Sequence, residues 1–431
     1  MFETLRNAWK IDDLRKKILF TLLILALYRI GCVVPGPFLD PSKLAQMSAE
    51  GTAFGFLNTL SGGAFGDAAI LALGVFPYIN AQIIIQLLTI AIPALERLSK
   101  EGEEGRKKLN RITKIATVVL AIVQAFGYYL VLRNQQGAVM YTTGFAGVLT
   151  AIALVAVFTG GAMFAMWMGN LITEKGLGNG ISFLIFANII ARLPNEVAII
   201  VQAIKLAQQG AYQYYFYAPL TVVFLVATVF LIVFMTNAER RLPVQYAKRV
   251  VGRKMYGGQS THIPIKVNMS GVLPVIFASS FLALPATIRM FVTPKTGSFW
   301  EKFLNAFTTT SWVYAVLYFL LIIAFNYFYV AIQYNPIEMA NNLRKNSGGI
   351  PGIRPGKPTS DFIAKVVGRI TFIGAIFLGI VATAPILIGS ITGMSVSLAG
   401  TSLIIVVGVA LDTVKSLESQ MMMRHYKGFL E

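Results

Sequence analysis

The chain has 431 residues, 56% of them hydrophobic and only 13% charged, with a formal net charge of +18. Together with a mean hydropathy of +0.67, that composition excludes a soluble domain of this length and points to a membrane protein. A single cysteine, Cys32, excludes an internal disulfide and any cysteine-based metal site.

Ten stretches are apolar over roughly 17 to 25 residues, enough to cross a hydrocarbon core as helices. They fall near 18–34, 69–92, 112–132, 146–169, 180–198, 216–236, 271–291, 312–334, 367–389 and 397–417. The first is too long for a signal-peptide core and runs on without a small-residue cleavage site, so it is expected to be retained. Between the first and second lies an apolar piece, about 54–67, that is too short and too rich in glycine to cross. Phe54, Leu57 and Leu60 keep helical spacing there until Ser61, Gly62 and Gly63 break it, ahead of Phe65. Two placements fit: a re-entrant piece folded into a cavity, or an amphipathic turn on the outer surface. Arg192 and Pro194 cut into the fifth stretch after a dozen apolar positions, and the glycines of Gly176 to Gly180 read as a turn ahead of it.

Lys and Arg crowd into alternate gaps. With the N-terminus on the cytoplasmic side, 27 of the 37 Lys and Arg face the cytoplasm against 7 outside, and Arg29, Lys114 and Arg369 sit in helix ends. That asymmetry predicts a multi-pass protein with both termini cytoplasmic. Five spans followed by five, joined near 199–215, give halves 1–205 and 206–431 of opposite orientation, the arrangement of an inverted repeat. Two cytoplasmic loops of about thirty residues, 238–270 and 335–366, exceed what neighbouring helices need. The first holds Arg240, Arg241, Lys248, Arg249, Arg253, Lys254 and Lys266, the second Arg344, Lys345, Arg354, Lys357 and Lys365. Orientation alone accounts for such charge; so does a surface for anionic phospholipid or for a phosphate-bearing partner.

Catalysis is not expected. Both histidines, His262 and His425, lie in cytoplasmic segments, the span interiors lack paired acids, and Asp412 sits near the cytoplasmic end of the last span. No Gly-Lys-Ser or Gly-Lys-Thr loop is present, so ATP hydrolysis would belong to a partner. A secondary transporter of small solutes on an inverted repeat stays open as an alternative, with the lack of acids at depth against an ion-coupled one.

Several strings recur in order along the chain: Arg29 to Gly36, Gly62 to Ala64, Gly74 to Leu88, Gly178 to Ser182, Gly257 to Pro264, Pro351 to Gly356 and Gly400 to Val407. In these the sequence resembles, over its whole length, the SecY/Sec61-alpha family, the channel subunit of the general secretory translocase. The resemblance implies an all-α polytopic fold: ten transmembrane helices in two pseudo-symmetric five-helix halves around an hourglass pore in the cell inner membrane. It implies a channel, not an enzyme, without cofactor or metal, that translocates unfolded preproteins and releases hydrophobic segments sideways. It places a pore ring on Val75, Ile79, Ile181, Ile185, Ile276 and Ile405 and a plug on the 54–67 piece, with Phe54, Leu57, Leu60, Ser61, Gly62, Gly63 and Phe65. A lateral gate between the second and third and the seventh and eighth spans takes in Asn80, Gln86, Gln124, Ser279, Ser280 and Thr287. The partners it implies are SecE and SecG, signal peptides, and the SecA motor or the ribosome docked on the basic loops. Arg354, between Gly and Pro on a stiff turn, is the docking residue singled out.

Overall fold

The computed structural model describes residues 2–40, 58, 61–134, 137–246, 249–251, 254–256, 260–283, 285, 288, 298, 300, 303, 306, 307, 311–392 and 400–427. A short helix α1 (Phe2–Lys10) leads into α2 (Asp12–Val33), whose first turn carries Asp12 and Asp13 at the positive end of the helix dipole. The second span differs from the sequence expectation. Residues 61–75 form consecutive turns, and the helix α3 starts only at Phe76 (Phe76–Ala91). Gly74 at φ +50° breaks the helix on one side. On the other, Pro93 forces Ile92 to extended dihedrals, and the chain bends by 102° into α4 (Pro93–Lys100).

Three long helices follow the bend, α5 (Glu103–Asn134), α6 (Gly144–Lys175) and α7 (Gly180–Ala191) with its continuation α8 (Leu193–Gln208). Arg192 and Pro194 interrupt the last of these as the sequence suggests, yet 180–208 still forms one apolar span of 29 residues. Within it Glu196 and Arg192 are both buried. The turn at Gly176 to Gly180 is closed by Asn179, whose side chain accepts from the amides of Ile181 (3.1 Å) and Ser182 (3.3 Å) as an N-cap.

The second half opens with α9 (Tyr214–Asn237) and then departs from an all-α fold. Strands β1 (Glu239–Tyr246) and β4 (Ser260–Lys266) pair antiparallel from Glu239↔Lys266 to Gln245↔Ser260, flanking the small β2 (Arg249–Val251) and β3 (Lys254–Tyr256) pair. After α10 (Leu273–Leu282), α11 (Trp312–Gln333) and α12 (Pro336–Lys345), strand β5 (Gly348–Gly349) adds to the free edge of β1. The fold closes with α13 (Lys357–Thr392) and α14 (Thr401–Lys427). Alternation explains the sheet: Leu242 and Val244 point inward while Arg241, Pro243 and Gln245 face out. Their inner face joins Ile265, Val330, Leu343, Ile350, Ile363, Val367 and Ile370 in one cluster. The two basic loops and the ends of α11 and α13 therefore share a core.

Among the described residues, six helices are long and apolar enough to cross a membrane, seven if the bent α3 and α4 count as one span. Against the ten expected, α2 and α14 are 22 and 27 residues long but carry charges such as Lys16, Lys17, Asp412 and Lys415. Only ten residues of the seventh expected span form the described helix α10. Two large clusters fill the interior. One draws on α2, 61–75, α3, α5, α6 and α7; the other draws on α9, α10, α11, α13 and α14.

Candidate functional site

Aliphatic side chains from four separate parts of the chain meet in the first of these clusters. Val75 and Ile79 at the start of α3, Ile185 on α7 and Ile405 on α14 are buried there, and Ile181 and Ile276 pack against them partly exposed. Val75 caps α3 and Ile79 follows one turn later, while Ile181 and Ile185 repeat that spacing on α7, so each pair presents one helix face. Phe277 and Ala283, on and just after α10, enter the same cluster, so it joins residues far apart along the chain. These branched hydrocarbon side chains carry no charge and no strong hydrogen-bonding group.

The turn segment 61–75 contributes to the same cluster. Phe54, Leu57 and Leu60 lie outside the described residues. Ser61 Oγ donates to Asn58 O (3.1 Å) and accepts from the Phe65 amide (2.9 Å), and Asn58 Oδ1 accepts from the Gly66 amide (2.8 Å). Gly62 and Gly63 take left-handed dihedrals, φ +67° and +97°, that other residues adopt only under strain. Phe65 is buried against Tyr128 of α5, with ring centroids 4.3 Å apart, and its carbonyl accepts from the Tyr128 hydroxyl. Further on, Ile70 N donates to Val34 O (2.9 Å) and Gly36 N to Ala68 O (2.9 Å), strapping the segment to the end of α2.

Sequence reasoning missed a polar junction at this place. Arg29 Nη1 donates to Asn188 Oδ1 (3.3 Å) and to Gly62 O (3.4 Å), and Asn188 Nδ2 donates to Tyr28 Oη (2.8 Å). The available signal was a cation inside a span, which in lipid calls for a partner.

Of the gate residues, Asn80 and Gln86 are half-buried on α3 and Gln124 half-buried on α5; Thr287 lies outside the described residues. Ser279 Oγ donates to Ile276 O (2.9 Å), while Gln124 Oε1 and Ser280 Oγ are buried without a hydrogen-bond partner among the described residues. Across the second half, Phe325 of α11 meets Phe277 and Phe281 of α10 edge-on at 6.0 and 6.3 Å. On the loops, Arg240, Arg241, Lys266, Arg344, Lys345, Arg354, Lys357 and Lys365 are all exposed. Lys248, Arg253 and the side chains of Arg249 and Lys254 lie outside the described residues. Arg354 sits between Gly352 and Gly356, both at positive φ, and its carbonyl accepts from Thr359 Oγ1 (2.8 Å).

A sequence model of the SecY family matches residues 69–414. Over 450 residues the chain is 43% identical to the protein translocase subunit SecY of Mycobacterium bovis, with all of both chains covered. The chain belongs to the SecY family. Another SecY family member, the protein translocase subunit of Bacillus subtilis, is 42% identical over 435 residues, again across both full lengths. Among solved structures, the fold matches a protein conducting channel with a TM-score of 0.63 at 18% identity, covering 94% of this chain and 92% of that one. It also matches Sec61 in the canine ribosome-channel complex from the endoplasmic reticulum, with a TM-score of 0.60 at 17% identity and the same coverage. As a SecY family member the chain is a multi-pass membrane protein and a subunit of the protein-conducting channel of the secretory pathway, not an enzyme.

Proposed function

We propose that Val75, Ile79, Ile181, Ile185, Ile276 and Ile405 form the ring through which unfolded preproteins pass. The single observation that carries this is one apolar cluster that holds Val75, Ile79, Ile185 and Ile405, with Ile181 and Ile276 packed against it. The 54–67 piece is the plug, held to α5 by the contact of Phe65 with Tyr128. The lateral gate runs between α3 and α5 on one side and α10 and α11 on the other, where it releases hydrophobic segments into lipid. Gln124 and Ser280, whose buried Oε1 and Oγ have no hydrogen-bond partner among the described residues, are polar groups suited to that seam: hydrogen bonds between helices in lipid average about 0.6 kcal/mol, weak enough to form and break as a seam opens.

The chain spans the membrane ten times, with α2, α10 and α14 as spans beside the seven apolar ones, in halves 1–205 and 206–431. Its termini and basic loops face the cytoplasm, in the cell inner membrane. SecE and SecG are its membrane partners, and the exposed cations around the sheet receive the SecA motor, the ribosome or anionic phospholipid. A relative's structure, Sec61 in a ribosome-channel complex, supports the ribosome among these.

Site-directed crosslinking tests the ring. A cysteine at Ile276 is expected to bond to a cysteine in a halted exported chain, whereas one at Val226, 66% exposed on α9, is not. Reaction at Val226 alone would show that the polypeptide runs elsewhere.

A further inference from the structure

We propose that Arg29 and Asn188 form a latch that couples widening of the ring to release of the plug; this rests on the plug and ring readings above. Gly62 O at the foot of the plug accepts from Arg29 of α2 (3.4 Å), and the same guanidinium nitrogen reaches Asn188 Oδ1 of α7 (3.3 Å). Asn188 and Tyr28, joined at 2.8 Å, are both fully buried, while Arg29 and Gly62 are half-buried, so the junction is anchored among packed helices on the Asn188 side. Both of these acceptors of the Arg29 nitrogen are neutral oxygens, so the half-buried cation is stabilised while they stay in reach.

Space at the junction is closed as well as bonded. A Cβ at position 62 would stand 2.6 Å from Arg29 Nη1 and 2.9 Å from Asn188 Cα, so the plug's main chain touches both helices and only glycine fits. Residues 61–66 are braced internally through Asn58 and Ser61 and held from a third helix by Tyr128. The foot of the plug therefore moves as a unit or stays.

The coupling follows from spacing. Asn188 stands three residues after Ile185 on α7, so one helix face carries both a ring side chain and the latch. A chain that pushes Ile185 outward carries Asn188 with it. Both bonds are already long against about 2.8 Å for a tight charge-assisted bond, so a small displacement of α7 breaks them. The plug then loses its hold on Arg29 and keeps those on Tyr128 and the end of α2.

The test uses the full chain in vesicles with its membrane partners, compared at equal amounts of inserted protein. Asn188→Ala and Arg29→Met are expected to raise resting ion flux about tenfold, the loss of a bond to a charged group, and to admit preproteins with weakened signal peptides. Asn188→Asp sets a carboxylate against the guanidinium and is expected to act oppositely, with flux no higher than the parent's and export slowed about tenfold. Opposite signs at one position are what a packing role does not give, and a leak in Asn188→Asp equal to that of Asn188→Ala would overturn the latch. Phe65→Ala is the reference: if it leaks and the latch variants do not, the latch is wrong and the plug stands. If none of the variants leaks, the plug reading falls and the latch with it.

Discussion

Gly161→Ala is the sharpest probe of how the segment 61–75 is seated. Gly161 lies buried on α6 directly under the strap: a Cβ there would overlap the Ile70 carbonyl oxygen and stand 3.0 Å from its carbon and 3.4 Å from Leu71 Cδ2. The obstacle is backbone, and that backbone is not free to yield. Ile70 N is bonded to Val34 O, and Leu71 is wedged on its other side against Gly31 of α2, where a Cβ would stand 2.6 Å from Leu71 Cδ1. Overpacking of this kind costs about 1–3 kcal/mol, an equilibrium change of roughly five- to 150-fold. Because the strap carries Val75 and continues into the plug, the cost is expected to appear twice, as a lower thermal midpoint of the purified complex and as a resting ion leak in vesicles. Gly160→Ala, with nothing within 4 Å of its added Cβ, is the matched control. A Gly161→Ala chain as stable and as tight as that control would refute the close seating of the strap on α6.

Further outcomes follow from the basic loops and the sheet they form. Arg354→Glu is expected to leave the chain inserted and folded, since the side chain is exposed and its turn is closed by main chain and Thr359; motor-driven export should collapse, and normal export would remove Arg354 from the docking surface. Binding of a ribosome or motor to these loops should weaken steeply with added salt if phosphate or acidic contacts dominate, and salt-independent affinity would exclude that. Asn326→Leu removes the acceptor of Ser270 Oγ and the donor to Thr371 O (3.0 Å), leaving a buried hydroxyl unpaired at a cost of about 1–3 kcal/mol, read as a fall in thermal midpoint. Ile363→Ala, at a fully buried position under the sheet, should cost about 2–5 kcal/mol and speed hydrogen exchange in β1; unchanged exchange would mean that the loops do not share a core.

Long apolar runs with clean ends were readable as helices from sequence. The stretches expected at 216–236 and 312–334 form helices Tyr214–Asn237 and Trp312–Gln333, because an apolar setting favours internal hydrogen bonding and the one proline, Pro219, lies near a helix start. The start of the second span was not readable. Residues 69–75 are as apolar as a helix interior and are buried or nearly so, yet they run as turns bonded to α2. Hydropathy reports burial and is silent on backbone shape. The helix α13 begins ten residues before its apolar run at 367, because Ile363 and its neighbours face the sheet, not lipid. The sheet was written in the alternation of Leu242 and Val244, but flanking cations gave the segment the look of a charged loop.

The candidate site divides in the same way. Spacing alone pairs Val75 with Ile79 and Ile181 with Ile185, but any such pair is ordinary packing in so apolar a chain; the family resemblance selected them, and Ile276 and Ile405 with them. The Arg29 junction escaped notice because its partners lie 33 and 159 residues away, beyond any local pattern.

The most direct measurement is a crosslinking comparison across all six ring positions against one exported chain halted at a fixed length. Single cysteines at Val75, Ile79, Ile181, Ile185, Ile276 and Ile405 should each bond to the same short stretch of that chain, while exposed positions such as Val226 and Phe230 should not. Capture of widely separated stretches, or of none, at these six would contradict a single aliphatic gate.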